Sequence, residues 1–104
     1  MEFSRRKWGW YLTLYSESRF KIKLLYFKPG HSCSMQRHKK RSEIWCFLFG
    51  KGEMFLNRRK RQVTKGSSVI VAAGDWHQYV AGTRTLVLEV QTGTCRESDI
   101  ERAD

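Results

Sequence analysis

The sequence predicts an all-β fold, an antiparallel sandwich or barrel, built as one domain over residues 1–104. Three observations carry this expectation. Turn signals recur at short intervals, at Pro29-Gly30, Gly50-Lys51-Gly52, Asn57, Gly66, Ala73-Gly74-Asp75, Gly82 and Gly93. The runs between them are short and rich in β-branched and aromatic residues. No segment sustains the apolar stripe of helical period that an amphipathic helix needs.

In chain order, strands are expected at Trp10–Tyr15, Phe20–Phe27, Ser32–Gln36, Glu43–Phe49, Glu53–Leu56, Arg61–Val63, Ser68–Val71, His77–Val80 and Thr85–Gln91. Pro29-Gly30 closes the second of these, and Gly50-Lys51-Gly52 divides Glu43–Phe49 from Glu53–Leu56. Asn57 opens a hairpin connection that takes in most of the run Arg58-Arg59-Lys60-Arg61. Ala73-Gly74-Asp75 and Gly82 bracket His77–Val80. Ser98–Arg102 reads as one helical turn with Ser98 as its cap. The strand Glu43–Phe49 is apolar on both faces beyond Glu43, with Trp45, Phe47 and Phe49 on one and Ile44, Cys46 and Leu48 on the other. A sheet with one solvated face alternates apolar and polar. Both faces should therefore be covered, the second by another element or by a second subunit in a homodimer.

A chain of 104 residues buries roughly two-thirds of its unfolded surface, enough for one core. Its 40% hydrophobic and 13% aromatic content argues against disorder. No apolar run approaches the ~20 residues that span a bilayer. No apolar signal segment follows the basic start Arg5-Arg6-Lys7, so a cytoplasmic protein with no membrane partner is expected. Cys33, Cys46 and Cys95 are odd in number and form no closely spaced pair, which argues for reduced thiols. The net charge is +10, and residues 1–94 carry 18 basic against 6 acidic groups. Such a surface attracts polyanions or small phosphorylated molecules.

Four residues form a candidate metal set. Gln36 and His38 lie two apart, on one face of a strand. Glu43 begins the next strand, and His77 follows Gly74-Asp75-Trp76. Imidazole, amide oxygen and carboxylate together suit a first-row divalent ion with open positions for water or substrate. Zinc heads the candidates, with manganese, cobalt, iron and nickel as alternatives.

The surrounding spacing resembles a known family. Gly30, five residues, Gln36-Arg37-His38, four residues, Glu43, six residues, Gly50 matches the first motif of the cupin superfamily. Gly66, five residues, Ala72-Ala73-Gly74, two residues, His77 matches the second. Gln36 replaces the usual first histidine and Ala72 a usual proline. The resemblance implies a cupin-type β-barrel (jelly roll, or double-stranded β-helix). The stretch Lys28-Pro29-Gly30 through Ser34, Gln36, His38, Arg41, Glu43 and Trp45 resembles the signature of the type II phosphomannose isomerases. Arg6-Lys7-Trp8-Gly9, Glu89-Val90-Gln91-Thr92-Gly93 and Asp99-Ile100-Glu101-Arg102 resemble that family's opening, end strand and closing segment. There the cupin usually follows a mannose-1-phosphate guanylyltransferase, for which 104 residues leave no room. A free-standing isomerase cupin is therefore expected, with Gln36, His38, Glu43 and His77 as its metal ligands.

The resemblance implies interconversion of mannose 6-phosphate and fructose 6-phosphate, a proton transfer between C1 and C2 through an enediol. Such a reaction needs an electrophile, a general base and a cationic phosphate site. Glu89 is the first candidate base, because it lies mid-strand among Val87, Leu88 and Val90, where a carboxylate is costly without a role. The alternative is a structural ion pair with Arg41. Arg41 would polarise sugar oxygens or pair with Glu89. Tyr79 shares the His77 face and would line the pocket or belong to the core. Arg6 and Lys23 are the candidate phosphate ligands. Competing readings are a cupin that binds no metal, one acting on another phosphorylated or nucleotide-linked sugar, and a nucleic-acid binder using Arg37–Arg41 and Arg58–Arg61.

Overall fold

A computed structural model describes residues 1–103. In chain order the strands are β1 (Glu2–Arg6), β2 (Gly9–Glu17), β3 (Phe20–Phe27), β4 (Gln36–Arg37), β5 (Arg41–Phe49), β6 (Gly52–Leu56), β7 (Arg59–Val63), β8 (Ser68–Val71), β9 (His77–Ala81), β10 (Thr85–Gly93) and β11 (Glu101–Arg102). They form two antiparallel sheets, ordered β1-β2-β3-β10-β5-β8 and β11-β4-β9-β6-β7. The described residues include no helix long and apolar enough to cross a membrane. All three cysteines are free thiols.

Period-two alternation decides which side chains enter the space between the sheets. From the larger sheet these include Leu25 and Phe27 of β3, Trp45 and Phe47 of β5, Val69 and Val71 of β8, and Val87 of β10. The smaller sheet contributes Met54, Tyr79 and Ala81. Phe27 meets Tyr79 edge to face at 5.0 Å between ring centroids.

Four segments differ from the sequence expectation. Glu2–Arg6 is a strand, paired to β2 from Glu2↔Thr13 to Arg6↔Gly9. Its charges disguise it, but Phe3 packs on Trp10 at 5.7 Å. Of Ser32–Gln36, only Ser32 bridges, to Val80, before pairing resumes at Gln36. The segment Ser98–Arg102 is not a helical turn capped by Ser98. Its end is β11, drawn onto β4 by the pairs Glu101↔Arg37 and Arg102↔Gln36. The Arg37 guanidinium donates to Glu101 at 3.0–3.2 Å, fixing this register. Finally, the hairpin turn is only Asn57-Arg58, with Asn57 in the left-handed region at φ 55°. Arg59, Lys60 and Arg61 therefore lie on edge strand β7, where exposed charge blocks pairing with another chain.

The inner face of β5 is covered by the facing sheet at Trp45 and Phe47, but Phe49, expected on the same face, is 44% exposed where the register against β10 shifts between Leu86 and Val87. Among the described residues no other element covers the outer face. Ile44 remains 41% exposed, Leu48 42%, and Ile70 on neighbouring β8 67%.

Candidate functional site

The strand register divides the interior into an apolar and a polar end. Leu25 pairs with Val87, and Val87 with Phe47, in the apolar layer. One step along, Lys23 pairs with Glu89, and Glu89 with Trp45. At the next step Lys21 pairs with Gln91, and Gln91 with Glu43. All these side chains point inward, so the polar steps create a charged chamber above the core. It opens as a cavity of about 590 Å³. Gln36, His38, Arg41 and Glu89 line it, with Arg6 and Lys23 toward the rim.

Glu43, His38 and His77 converge beside it, their ligating atoms within 4.8 Å of one another. Of the three only His38 lines the cavity, while Glu43 and His77 lie buried behind it. His38 Nε2 lies 3.4 Å from Glu43 Oε2, and His77 Nε2 lies 3.6 Å from Oε1. Each imidazole is oriented from behind. His38 Nδ1 donates to the Asp99 carbonyl at 2.6 Å and His77 Nδ1 to the Asp75 carbonyl at 3.1 Å. These bonds place the proton on Nδ1 and turn the Nε2 lone pair toward Glu43. Asp99 is itself anchored, since its carboxylate accepts from the backbone N–H groups of Lys39 and Lys40. Gln36 sits directly opposite His77 across β4 and β9, which puts both side chains on one face.

The electrostatics suit ligation. Burial alone would raise the Glu43 carboxyl, but His38, His77 and Arg41 outweigh it and hold the group at about 2. Arg41 Nε and Trp45 Nε1 each donate to one Glu43 oxygen at 3.0 Å. Burial, more than any other cause, pushes the His38 pKa below the ordinary imidazole value. His77 Nε2 is fully buried and has no hydrogen-bond partner. A buried polar atom without a partner is costly. Its lone pair faces the carboxylate, and a cation between them satisfies both. Two imidazole nitrogens and a carboxylate oxygen, with an amide beside them, fit an N/O-ligated divalent ion.

The other expected site residues separate into groups. Glu89 is buried and accepts from Gln91 Nε2 at 2.7 Å. Burial, and then the Glu43 charge, raise its pKa well above the ordinary carboxyl value. The expected Glu89–Arg41 ion pair is not formed. Arg41 turns instead to Glu43, to His38 Nε2 at 3.2 Å and to the Arg96 carbonyl. Tyr79 shares the His77 face but sits one step deeper, fully buried, with its hydroxyl on Thr85 Oγ1 at 2.8 Å. It belongs to the core rather than the cavity wall. Lys23 Nζ lies 4.1 Å from the Tyr11 ring centroid, and the Arg6 guanidinium is 5.0 Å from the same ring.

Sequence reasoning missed Lys21, Gln91, Glu97 and Asp99. Lys21 and Lys23 alternate with Phe20, Ile22 and Leu24, which reads as an ordinary half-solvated strand. Here the lysines face inward and the apolar side chains outward, an inversion that composition does not reveal. Glu97, which lines the cavity with Lys23, meets both Lys21 and Lys23, with its oxygens 3.3 and 2.7 Å from their ammonium groups. No residue of the Arg58–Arg61 run lines the cavity.

Comparison with known proteins agrees with this geometry. Residues 2–104 match the family described as mannose-6-phosphate isomerase C-terminal. A mannose-1-phosphate guanylyltransferase of Sinorhizobium fredii is 30% identical over 100 residues, covering 93% of this chain and 20% of that protein. The alginate biosynthesis protein AlgA of Pseudomonas putida is 33% identical over 100 residues, covering 93% and 21%. The chain thus spans about one-fifth of the length of these curated relatives. Among solved structures, KdgF from a Halomonas species superposes with a TM-score of 0.82 at 17% identity, covering 94% of this chain and 90% of that one. At that identity the likeness shows the double-stranded β-helix fold alone.

Proposed function

Because the chain belongs to the mannose-6-phosphate isomerase C-terminal family, we propose that it is a metal-dependent aldose–ketose isomerase acting on a phosphorylated sugar, mannose 6-phosphate first. One observation carries the reading: His38, Glu43 and His77 converge where His38 meets a cavity that is also lined by Arg6, Lys23 and Arg41. His38, Glu43 and His77, with Gln36 beside them, would hold a divalent ion, zinc first, which would supply Lewis-acid stabilisation of charge on a sugar oxygen.

The remaining steps belong to the chain's own residues. Glu89 takes a proton from one of the two reacting carbons and returns it to the other. Burial raises its pKa above the ordinary carboxyl value, which makes the carboxylate a stronger base. Arg41 holds Glu43 and His38 in place through Nε and Nη2. Arg6 and Lys23 attract the phosphate, which accounts for part of the +10 charge. Free thiols at Cys33, Cys46 and Cys95 accord with a cytoplasmic setting. A coupled assay of mannose 6-phosphate isomerisation, run on chelator-treated protein with and without divalent ions, tests the reading. Turnover restored by metal is expected. Metal uptake without turnover would instead favour another phosphorylated or nucleotide-linked sugar.

We also propose that two copies associate through the outer face of the larger sheet. That face includes Ile22 and Leu24 of β3, Leu88 and Val90 of β10, Ile44 and Leu48 of β5, and Ile70 of β8. Strands β3, β10, β5 and β8 place no charged residue there, so two copies of a chain carrying +10 can meet without opposing like charges across those strands. With strands ~4.8 Å apart and rising ~3.3 Å per residue, these four strands cover about 475 Å². Two copies would bury about 950 Å², at the low end of specific interfaces. Sedimentation should show a dimer that Ile44→Lys with Ile70→Lys converts to a folded monomer. A monomeric wild-type chain overturns the proposal.

A further inference from the structure

An ion cluster that the metal site does not explain lies at the edge of the cavity, with Lys23, Arg41 and Glu97 in its lining and Lys21 reaching Glu97 from outside it. Lys21, Lys23 and Arg41 come from β3 and β5, and their side chains are only 11%, 6% and 6% exposed. All three face one carboxylate, that of Glu97. Lys23 Nζ lies 2.7 Å from Oε1 and 3.1 Å from Oε2, Lys21 Nζ 3.3 Å from Oε2, and Arg41 Nη1 3.9 Å from Oε2. Of these three cations, Arg41 shares its charge with Glu43 at 3.0 Å. Two nearly buried ammonium groups therefore share one monoanion. Desolvated like charges are costly when incompletely balanced. A phosphate monoester carries about −1.5 to −2 charge and three acceptor oxygens, a closer match to this cluster than a single carboxylate.

The position of Glu97 makes exchange feasible. It is 49% exposed, whereas its cationic partners are nearly buried. It rides on a short turn between β10 and β11, closed by the Asp99 N–H donating to the Arg96 carbonyl. Rotation of its side chain alone would vacate the cations and leave that turn intact. Arg41 also fixes the distance relation. One face of its guanidinium reaches Glu43 and His38, and Nη1 reaches Arg96 and Glu97. The cation cluster and the His38–Glu43–His77 cluster are thus bridged by a single side chain.

We infer that Lys21, Lys23 and Arg41 form an oxyanion subsite for the substrate's phosphate, and that Glu97 occupies this subsite until the phosphate displaces it. The inference rests on the phosphorylated-sugar reading for its ligand class, while its test does not depend on catalysis. Inorganic phosphate is titrated against the metal-free full chain by calorimetry at constant ionic strength. Glu97→Gln should bind phosphate at least tenfold more tightly than wild type, and adding Lys23→Gln should remove the gain. Unchanged or weaker binding by Glu97→Gln overturns the inference. If that variant does not fold, the wild-type Glu97 carboxyl 13C resonance decides. It should shift with phosphate and not with matched chloride, and no shift overturns the inference. The two readings fail separately. Tightened phosphate binding without mannose 6-phosphate turnover keeps the subsite and rejects the isomerase. Turnover without any effect of Glu97→Gln on phosphate binding does the reverse.

Discussion

Alanine at His38 or His77 is expected to reduce bound metal from stoichiometric to background and to abolish metal-dependent turnover. Each substitution deletes a nitrogen aimed at Glu43, from 3.4 Å for His38 and 3.6 Å for His77. Neither Gln36 nor Arg41 can replace it, since an amide oxygen is a weaker donor and a guanidinium offers no lone pair. The effect should exceed the ~10–100-fold loss that follows removal of an outer partner alone. That smaller loss is the expectation for disturbing Asp99, whose carbonyl orients His38. The fold should persist, because the core beneath consists of Phe27, Trp45, Phe47, Met54 and Tyr79. Elemental analysis of dialysed protein and far-UV circular dichroism provide the measurement. Retained metal with retained turnover in either variant overturns the ligand assignment.

The candidate metal residues were legible in the sequence because the signals that mark them are local. Gln36 and His38 share a strand face, Glu43 opens the following strand, and His77 follows a glycine turn. The strands were legible for the same reason, through alternation between turn residues. What escaped is non-local. Glu97 and Lys23 are 74 positions apart, and no local pattern marks either as a partner of the other. The helical turn expected at Ser98–Arg102 followed a sound local cap signal. It lost to β11 pairing with β4 and to the Arg37–Glu101 bonds. Glu2–Arg6 was hidden because its charges resemble a solvated arm, whereas the edge position needs only Phe3 to pack. The Arg41–Glu89 pairing failed for a positional reason. Arg41 lies two residues from Glu43 on the same strand face, so the nearer carboxylate takes its guanidinium.

Glu89→Gln is expected to lower kcat by about 10²–10⁴-fold, the usual contribution of a positioned general base, with little change in KM or metal content. The substitution keeps shape and leaves the His38–Glu43–His77 cluster in place, so its effect separates proton transfer from ligation. Stability supplies a second, independent readout. Burial, and then the Glu43 charge, raise the Glu89 pKa in the folded state well above its ordinary value of 4.5. The unfolded chain therefore loses this proton first as pH rises. The favourable contribution of the neutral group is complete below 4.5 and is lost as pH climbs toward the folded pKa. An amide does not ionise, so the stability of Glu89→Gln should fall less steeply than wild type above that pH. A purely structural carboxyl would give this flattened stability profile with near-normal turnover. A base gives the flattened profile together with the loss in kcat. Denaturant melts across pH, paired with kcat and KM, distinguish the two, and turnover within tenfold of wild type removes Glu89 from the mechanism.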